Sequence, residues 1–195
     1  MIKSKEDYLY YLECDRIALR EDGRFIHRFT NKIWKFQRLL RKLEYYTNCK
    51  NNKFSRYILK IRYHILSEKL GFYIPINVVG PGLSIAHIGP ILINGNSRIG
   101  ENCRIQTGVT LGATNGQNLA PILGNNVFLG EGCKLIGNIY IADDVAIGAN
   151  AVVVKDINQK GTTWGGVPAR IISKHDSSLN LVKATQLLNN RSKSG

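Results

Sequence analysis

The stretch Ile93-Asn94-Gly95-Asn96-Ser97-Arg98-Ile99-Gly100-Glu101-Asn102-Cys103-Arg104-Ile105-Gln106-Thr107-Gly108-Val109-Thr110-Leu111-Gly112 carries an aliphatic side chain every six residues. The series resumes at Leu123 and continues through Leu129, Leu135, Ile141, Ile147 and Val153. Only position 117, a Gln, breaks it. A second series of small or modest residues follows four positions behind: Ser97, Cys103, Val109, Val127, Cys133, Ile139, Val145 and Ala151. Glycine follows the aliphatic residue at 100, 112, 124, 130 and 148, and Asn, Asp or Gly fills most corners between.

A period of six matches neither the 3.6 of a helix nor the 2 of an alternating strand. It suits short extended segments joined by regular turns, with the aliphatic side chain inward and corner residues that tolerate positive φ. Stacked coils of this kind form a solenoid with one continuous apolar interior. The pattern predicts a left-handed parallel β-helix of hexapeptide repeats; the hand comes from the motif, since crossover physics favours the right. The segment between Leu111 and Leu123 is too polar for coil faces and reads as a projecting loop, about residues 113–122.

Outward from the repeats, the chain divides into a basic helical region at 1–71, the β-helix at 72–174 and a tail at 175–195. Helices are expected over residues 5–20, 30–46 and 54–70. In the second, Ile33, Phe36, Leu40 and Leu43 share a face, and Lys32, Lys35, Arg38, Arg41 and Lys42 cover the rest. Such a face with Trp34 suits either an anionic membrane or a packed neighbour, and the packed reading is preferred. In the third, Tyr57, Ile58, Ile61, Ile65 and Leu66 are expected to point inward, with Gly71 as C-cap. Leu179, Val182, Leu187 and Leu188 suggest a short helix in the tail.

The 195-residue chain carries a net charge of +13. Residues 1–71 hold 17 Lys and Arg against 8 Asp and Glu, so the excess is mainly N-terminal. It would serve an anionic partner, but no nucleic-acid recognition motif accompanies it. No apolar run approaches the ~20 residues of a membrane span. The start lacks the apolar stretch of a signal peptide, so the cytoplasm is the expected location. The four cysteines show no metal-ligand spacing, and Cys103 and Cys133 read as small core residues. One histidine in the repeats is too few for a zinc site, so no metal is expected.

A solenoid alone implies no reaction. His27, His64 and His175 have no partner pattern. His87 lies in Leu83-Ser84-Ile85-Ala86-His87-Ile88-Gly89-Pro90, at the first full coil and amid little polar character. An imidazole there can take a proton from a hydroxyl near neutral pH.

His87 through Asn94, Ile99 through Cys103, Val109-Thr110-Leu111-Gly112, Leu135 through Ile139 and Gly166-Val167-Pro168-Ala169-Arg170 together resemble the serine acetyltransferase family, over about residues 72–174. The resemblance implies a homotrimer that moves acetyl from acetyl-CoA to a hydroxyl, at a site between protomers. His87 would be the general base, without an acyl-enzyme. Pantetheine would run past Gly112, Ala113 and Gly130. The segment from Gly166 to Arg170 would close over the cofactor, with Arg170 and Lys174 near its phosphates. Corner N–H groups would hold the oxyanion. Asn94 and Asn115 are the expected acceptor contacts.

This sequence departs from the family's pattern. Ala86 stands where the family has an acidic residue, Ala120 where it has a histidine before proline, and Phe72 near another expected acid. The pattern therefore looks more like the shorter capsule, exopolysaccharide and O-antigen O-acetyltransferases, with a saccharide acceptor. The basic helices would suit a membrane-borne precursor at the inner face. A serine O-acetyltransferase of cysteine biosynthesis, an amino-sugar acyltransferase and a non-catalytic trimeric scaffold are the alternatives.

Overall fold

A computed structural model describes residues 1–22, 30–114 and 118–193. Three helices, α1 (Lys5–Ala18), α2 (Lys32–Cys49) and α3 (Lys53–Leu70), precede the solenoid. Each starts on a side-chain cap, Ser4, Asn31 and Asn52 in turn. Gly71 ends α3 in the left-handed conformation, φ 74. His27 lies outside the described residues.

The repeats form the expected parallel β-helix. Its three faces are built from very short strands. Face A stacks β1 (Phe72–Tyr73), β3 (Ile91–Ile93), β6 (Thr110–Gly112), β9 (Lys134–Ile136) and β12 (Val152–Val153). Face B stacks β4 (Arg98–Ile99), β7 (Ile122–Leu123) and β10 (Tyr140–Ile141). Face C stacks β2 (Ser84–Ile85), β5 (Arg104–Ile105), β8 (Phe128–Leu129), β11 (Ala146–Ile147) and β13 (Thr163–Gly165), closed by antiparallel β14 (Arg170–Ser173). Both hexad series point inward and are buried in one continuous core.

Register measures each coil. Ile93 pairs with Leu111 and Leu129 with Ile147, eighteen residues on, which is three hexads. Ile99 pairs with Leu123, twenty-four on, because the loop adds six residues between faces A and B. The insertion thus matches one hexad in length, and position 117 itself lies outside the described residues. Ile85 pairs with Ile105, twenty on. The extra two residues lie between Ile85 and Ile93, in the turn that holds His87.

An open solenoid end exposes strand edges and apolar interior. Here α1 and α2 close the N-terminal end with side chains. Gln37, fully buried on α2, donates to Leu83 O at 2.7 Å and accepts from Ile85 N at 3.3 Å. Asp15 on α1 accepts from Gly82 N and Leu83 N at 2.9 and 2.8 Å. Arg41 donates to Val79 O, Gly80 O and both Asp15 and Glu44, all of it out of water. Glu44 accepts from Asn77 N at 2.8 Å. The pairing satisfies the buried charges that would otherwise be prohibitive.

Two sequence expectations change and one choice between readings is made. Arg41 is buried in that cluster and does not cover a solvated face. Trp34 is only 6% exposed, so α2 packs its apolar side, in line with the preferred of the two readings. In α3 the inward side is Leu59 and Leu70 with partly buried Tyr63 and Leu66, whereas Tyr57, Ile58, Ile61 and Ile65 face out. That helix carries two apolar stripes, and only one can meet α2 and the solenoid.

On the edge between faces B and C, Asn102, Asn126 and Asp144 take positive φ and form a side-chain ladder: Asn102 to Asn126 at 2.8 Å, Asn126 to Asp144 at 2.9 Å. Helix α4 (Ala184–Lys193) returns to this ladder through Thr185 and Asn102. The tail thus has its helix, beginning after Val182 and preceded by a 3-10 turn at Ser177–Leu179. No helix among the described residues is long and apolar enough to cross a membrane.

Candidate active site

His87 sits on the edge between faces C and A, at the extended turn after β2. Its neighbours are fixed while the imidazole is not. Ala86 N donates to Ile105 O at 3.0 Å, Gly89 N to Leu70 O at 3.2 Å, and Gly108 N to Pro90 O at 2.7 Å. The turn presses on the coil below: a Cβ on Gly89 would lie 2.1 Å from Thr107 Oγ1, and φ there is +150. Through Gln37 and Ile85 N, α2 holds the strand that leads into the turn. His87 itself is exposed and hydrogen-bonds to no described residue. No acidic side chain among the described residues orients it.

Below His87 the same edge presents the corners Gln106-Thr107-Gly108, Gly130-Glu131-Gly132, Gly148-Ala149-Asn150 and Gly165-Gly166. Four strand steps separate β2 from β13, so the column runs about 19 Å at ~4.8 Å per step. The backbone N–H groups of Thr107, Glu131 and Ala149, one at each of three successive corners, donate no hydrogen bond among the described residues.

The expected site residues divide between two edges. His87, Gly130, Gly166 and Arg170 belong to the C–A edge. Gly130 is glycine for packing, because a Cβ would approach Ile147 O to 2.6 Å. Gly166 has φ +91, and its carbonyl accepts from Val152 N. Ala169 returns the favour to Val152 O at 2.8 Å, so the segment from Gly166 to Ala169 lies along face A as an incomplete extra coil. Asn94, Gly112 and Ala113 lie on the A–B edge, across the width of a three-residue strand, about 10 Å. Asn115 falls outside the described residues. Arg170 is exposed beside Gly165, while Lys174 follows β14 at its far end, about 13 Å along an extended chain. One protomer brings together His87, Gly130, Gly166 and Arg170; it does not bring Asn94, Gly112, Ala113 or Lys174 to them.

Trp164 is half-buried against the main core, pairs with Ile147 in register and donates from Nε1 to Thr162 Oγ1 at 2.9 Å. It caps the C-terminal end of the apolar interior. A cavity of about 420 Å³ beside it is lined by Val153, Lys155, Pro168, Ala169 and Arg170. Cys103 and Cys133 are buried and free. Burial pushes the Cys133 thiol up to about 12 and Cys103 higher still, so both stay protonated and inert. Among the described residues no group of three or more His, Cys, Asp or Glu side chains could hold a metal ion.

The site was missed in two respects. The two-residue extension at His87 left no trace in the hexad, since Ile91 and Ile93 are both aliphatic and both buried. Gln37 gave no signal because its role exists only across 48 residues of sequence.

This geometry defines a β-helix of hexapeptide repeats. The family described as "Bacterial transferase hexapeptide (six repeats)" matches residues 120–155. The chain is similar to the serine acetyltransferase of Synechococcus elongatus, 41% identical over 96 residues, 48% of this chain and 39% of the relative. It thus spans well under half the length of that protein. Among solved structures it is similar to the serine acetyltransferase of Brucella abortus strain S19, with TM-score 0.70 and 26% identity over 88% of this chain and 71% of that one. A serine acetyltransferase in complex with CoA gives TM-score 0.67 and 26% identity, covering 86% and 71%. These matches overturn the expected saccharide enzyme of capsule, exopolysaccharide or O-antigen pathways. They favour the alternative raised from the sequence, a serine acetyltransferase.

Proposed function

We propose that this chain is an acetyl-CoA-dependent O-acetyltransferase of the serine acetyltransferase type, with L-serine as acceptor and His87 as general base. One observation carries the reading: the exposed histidine stands at the head of a column of unpaired backbone donors on the C–A edge. The neutral imidazole takes the acceptor's hydroxyl proton as the oxygen attacks the thioester carbonyl carbon. The C–S bond then breaks, and the leaving thiolate recovers the proton from the imidazolium. Nothing is covalently attached to the protein. The N–H groups of Thr107, Glu131 and Ala149 suit the amide groups of a pantetheine arm, and Arg170 suits a phosphate at the lower end. A CoA-bound relative of the same fold supports this assignment. The cytoplasm fits such a reaction.

A homotrimer fits the division of the site. It would set one protomer's A–B edge, with Asn94, Gly112, Ala113 and the loop, against its neighbour's C–A edge. Apolar surface supports this. The outer stripe of α3, with Phe54 at 74% and Ile65 at 60% exposure, continues into exposed Tyr73 and Leu92 on face A and Ile88 beside His87. Monomers rarely leave so large an apolar band in water. The missing acidic neighbour at Ala86 leaves the orientation of His87 to a group across that contact.

The test is free-thiol release from acetyl-CoA with L-serine, monitored beside the mass of the assembly. Serine-dependent release by a trimer is expected. A protein that binds no acetyl-CoA would contradict the reading and favour a scaffold.

A further inference from the structure

The helical region holds a second concave site, remote from the repeat edges in sequence and in contacts. Between α1, α2 and α3 lies a cleft of about 300 Å³, lined by Tyr8, Lys35, Arg38, Leu39, Lys42, Leu59 and Arg62. Four of those seven side chains are cations and none is an anion. Lys35, Arg38 and Lys42 occupy one stripe of α2 at i, i+3 and i+7, a spacing at which like charges repel and weaken the helix. Arg62 faces them from α3.

The carboxylates nearest in sequence are already engaged. Glu44 is taken by Arg41 and Asn77 N, Asp7 accepts from Lys3 N, and Glu68 lies 3.3 Å from His64. No ion pair or hydrogen bond from Lys35, Lys42 or Arg62 joins them to a described residue. The walls are firm: Tyr8 stacks on Tyr45 at 4.9 Å, and Leu59 is buried. Across residues 32–70 the sequence places eleven Lys and Arg against two Glu, and one member of each sign, Arg41 and Glu44, neutralise each other in the interior.

We propose that this cleft binds a phosphate-bearing anion. Several cations converging on one concavity exceed what a single carboxylate neutralises. A guanidinium fork among point-charge ammoniums suits the several oxygens of a phosphate or diphosphate group. The cleft is at the small end for ligand sites and takes a head group, not a whole nucleotide cofactor. Two sources carry that chemistry, a soluble phosphate compound and an anionic lipid head group presented at a surface.

The proposal is independent of acetyl transfer, and its test reads binding only. Inorganic diphosphate is titrated calorimetrically into the full chain at near-physiological salt. Phosphatidylcholine vesicles with and without phosphatidylglycerol are co-sedimented in parallel. Lys35→Glu/Lys42→Glu and Arg62→Glu, all at exposed positions, are compared with Arg170→Ala/Lys174→Ala at the far end of the solenoid. Thermal melts confirm that each variant is folded. Diphosphate affinity is expected to fall at least tenfold in both cleft variants and to persist in the distal one. Vesicle binding without diphosphate binding, lost in the same cleft variants, identifies the source as a lipid head group. Wild type binding neither probe, or binding unchanged by charge reversal in the cleft, overturns the proposal.

Discussion

At the N-terminal end of the solenoid, strand edges are satisfied by side chains: Gln37, Asp15, Arg41 and Glu44 reach seven backbone groups between Asn77 and Ile85. At the C-terminal end, the chain folds back on itself. β14 pairs antiparallel with β13, Gly166 and Ala169 bond to Val152, and Trp164 covers the interior. The first solution depends on buried charge and ties the first coil to separate helices. The second is local backbone and one aromatic ring. The contrast bears on function because His87 follows directly from the strand that the side-chain cap holds.

The difference predicts unequal sensitivity. Arg41→Ala should be most damaging, about 3–5 kcal/mol by urea unfolding, because it strands two buried carboxylates and two carbonyls. A loss below about 1 kcal/mol would mean the cluster is solvated and the comparison fails. Trp164→Ala should cost less, about 2 kcal/mol, since the ring is only half-buried and the hairpin remains. Gln37→Leu should cost about 1–2 kcal/mol by leaving Leu83 O unpaired. It should also lower turnover with acetyl-CoA affinity kept, as the strand before His87 loosens. Equal losses of turnover in Gln37→Leu and Trp164→Ala would detach the site from the N-terminal cap.

The smallest effect belongs to an exposed ion pair at the other end. Lys160 donates to Asp143 at 2.8 Å and holds its carboxyl below the usual range. A depressed carboxylate stabilises the fold above its unfolded pKa, ~3.9, and the gain is lost as pH falls through the lower folded value. Lys160→Ala should therefore lower stability only slightly at neutral pH and flatten the acid limb of the stability curve.

Much of this molecule was legible in the sequence because the hexad is local. A side chain's inward position follows from neighbours six residues away, so faces, core and loop could be read from spacing. The helices were legible too, but not their orientation. The two apolar stripes of α3 are equivalent in sequence, and only packing against α2 decides which is buried. Arg41 looked like one cation among many on α2, since Asp15 lies 26 residues away. The same limit applied to the site. His87 stood out by its setting, yet the division of its expected partners between two edges follows from coil geometry. The acceptor was misjudged for a different reason: missing family residues at Ala86 and Ala120 were weighted above the overall similarity to serine acetyltransferases.

The central claim is that His87 removes the acceptor's proton. The most direct measurement compares wild type and His87→Ala for serine-dependent thiol release, with acetyl-CoA binding measured on both. A fall in kcat of about 10²–10⁴-fold at unchanged acetyl-CoA affinity is predicted. Near wild-type kcat in His87→Ala would contradict the account and move the base to another residue.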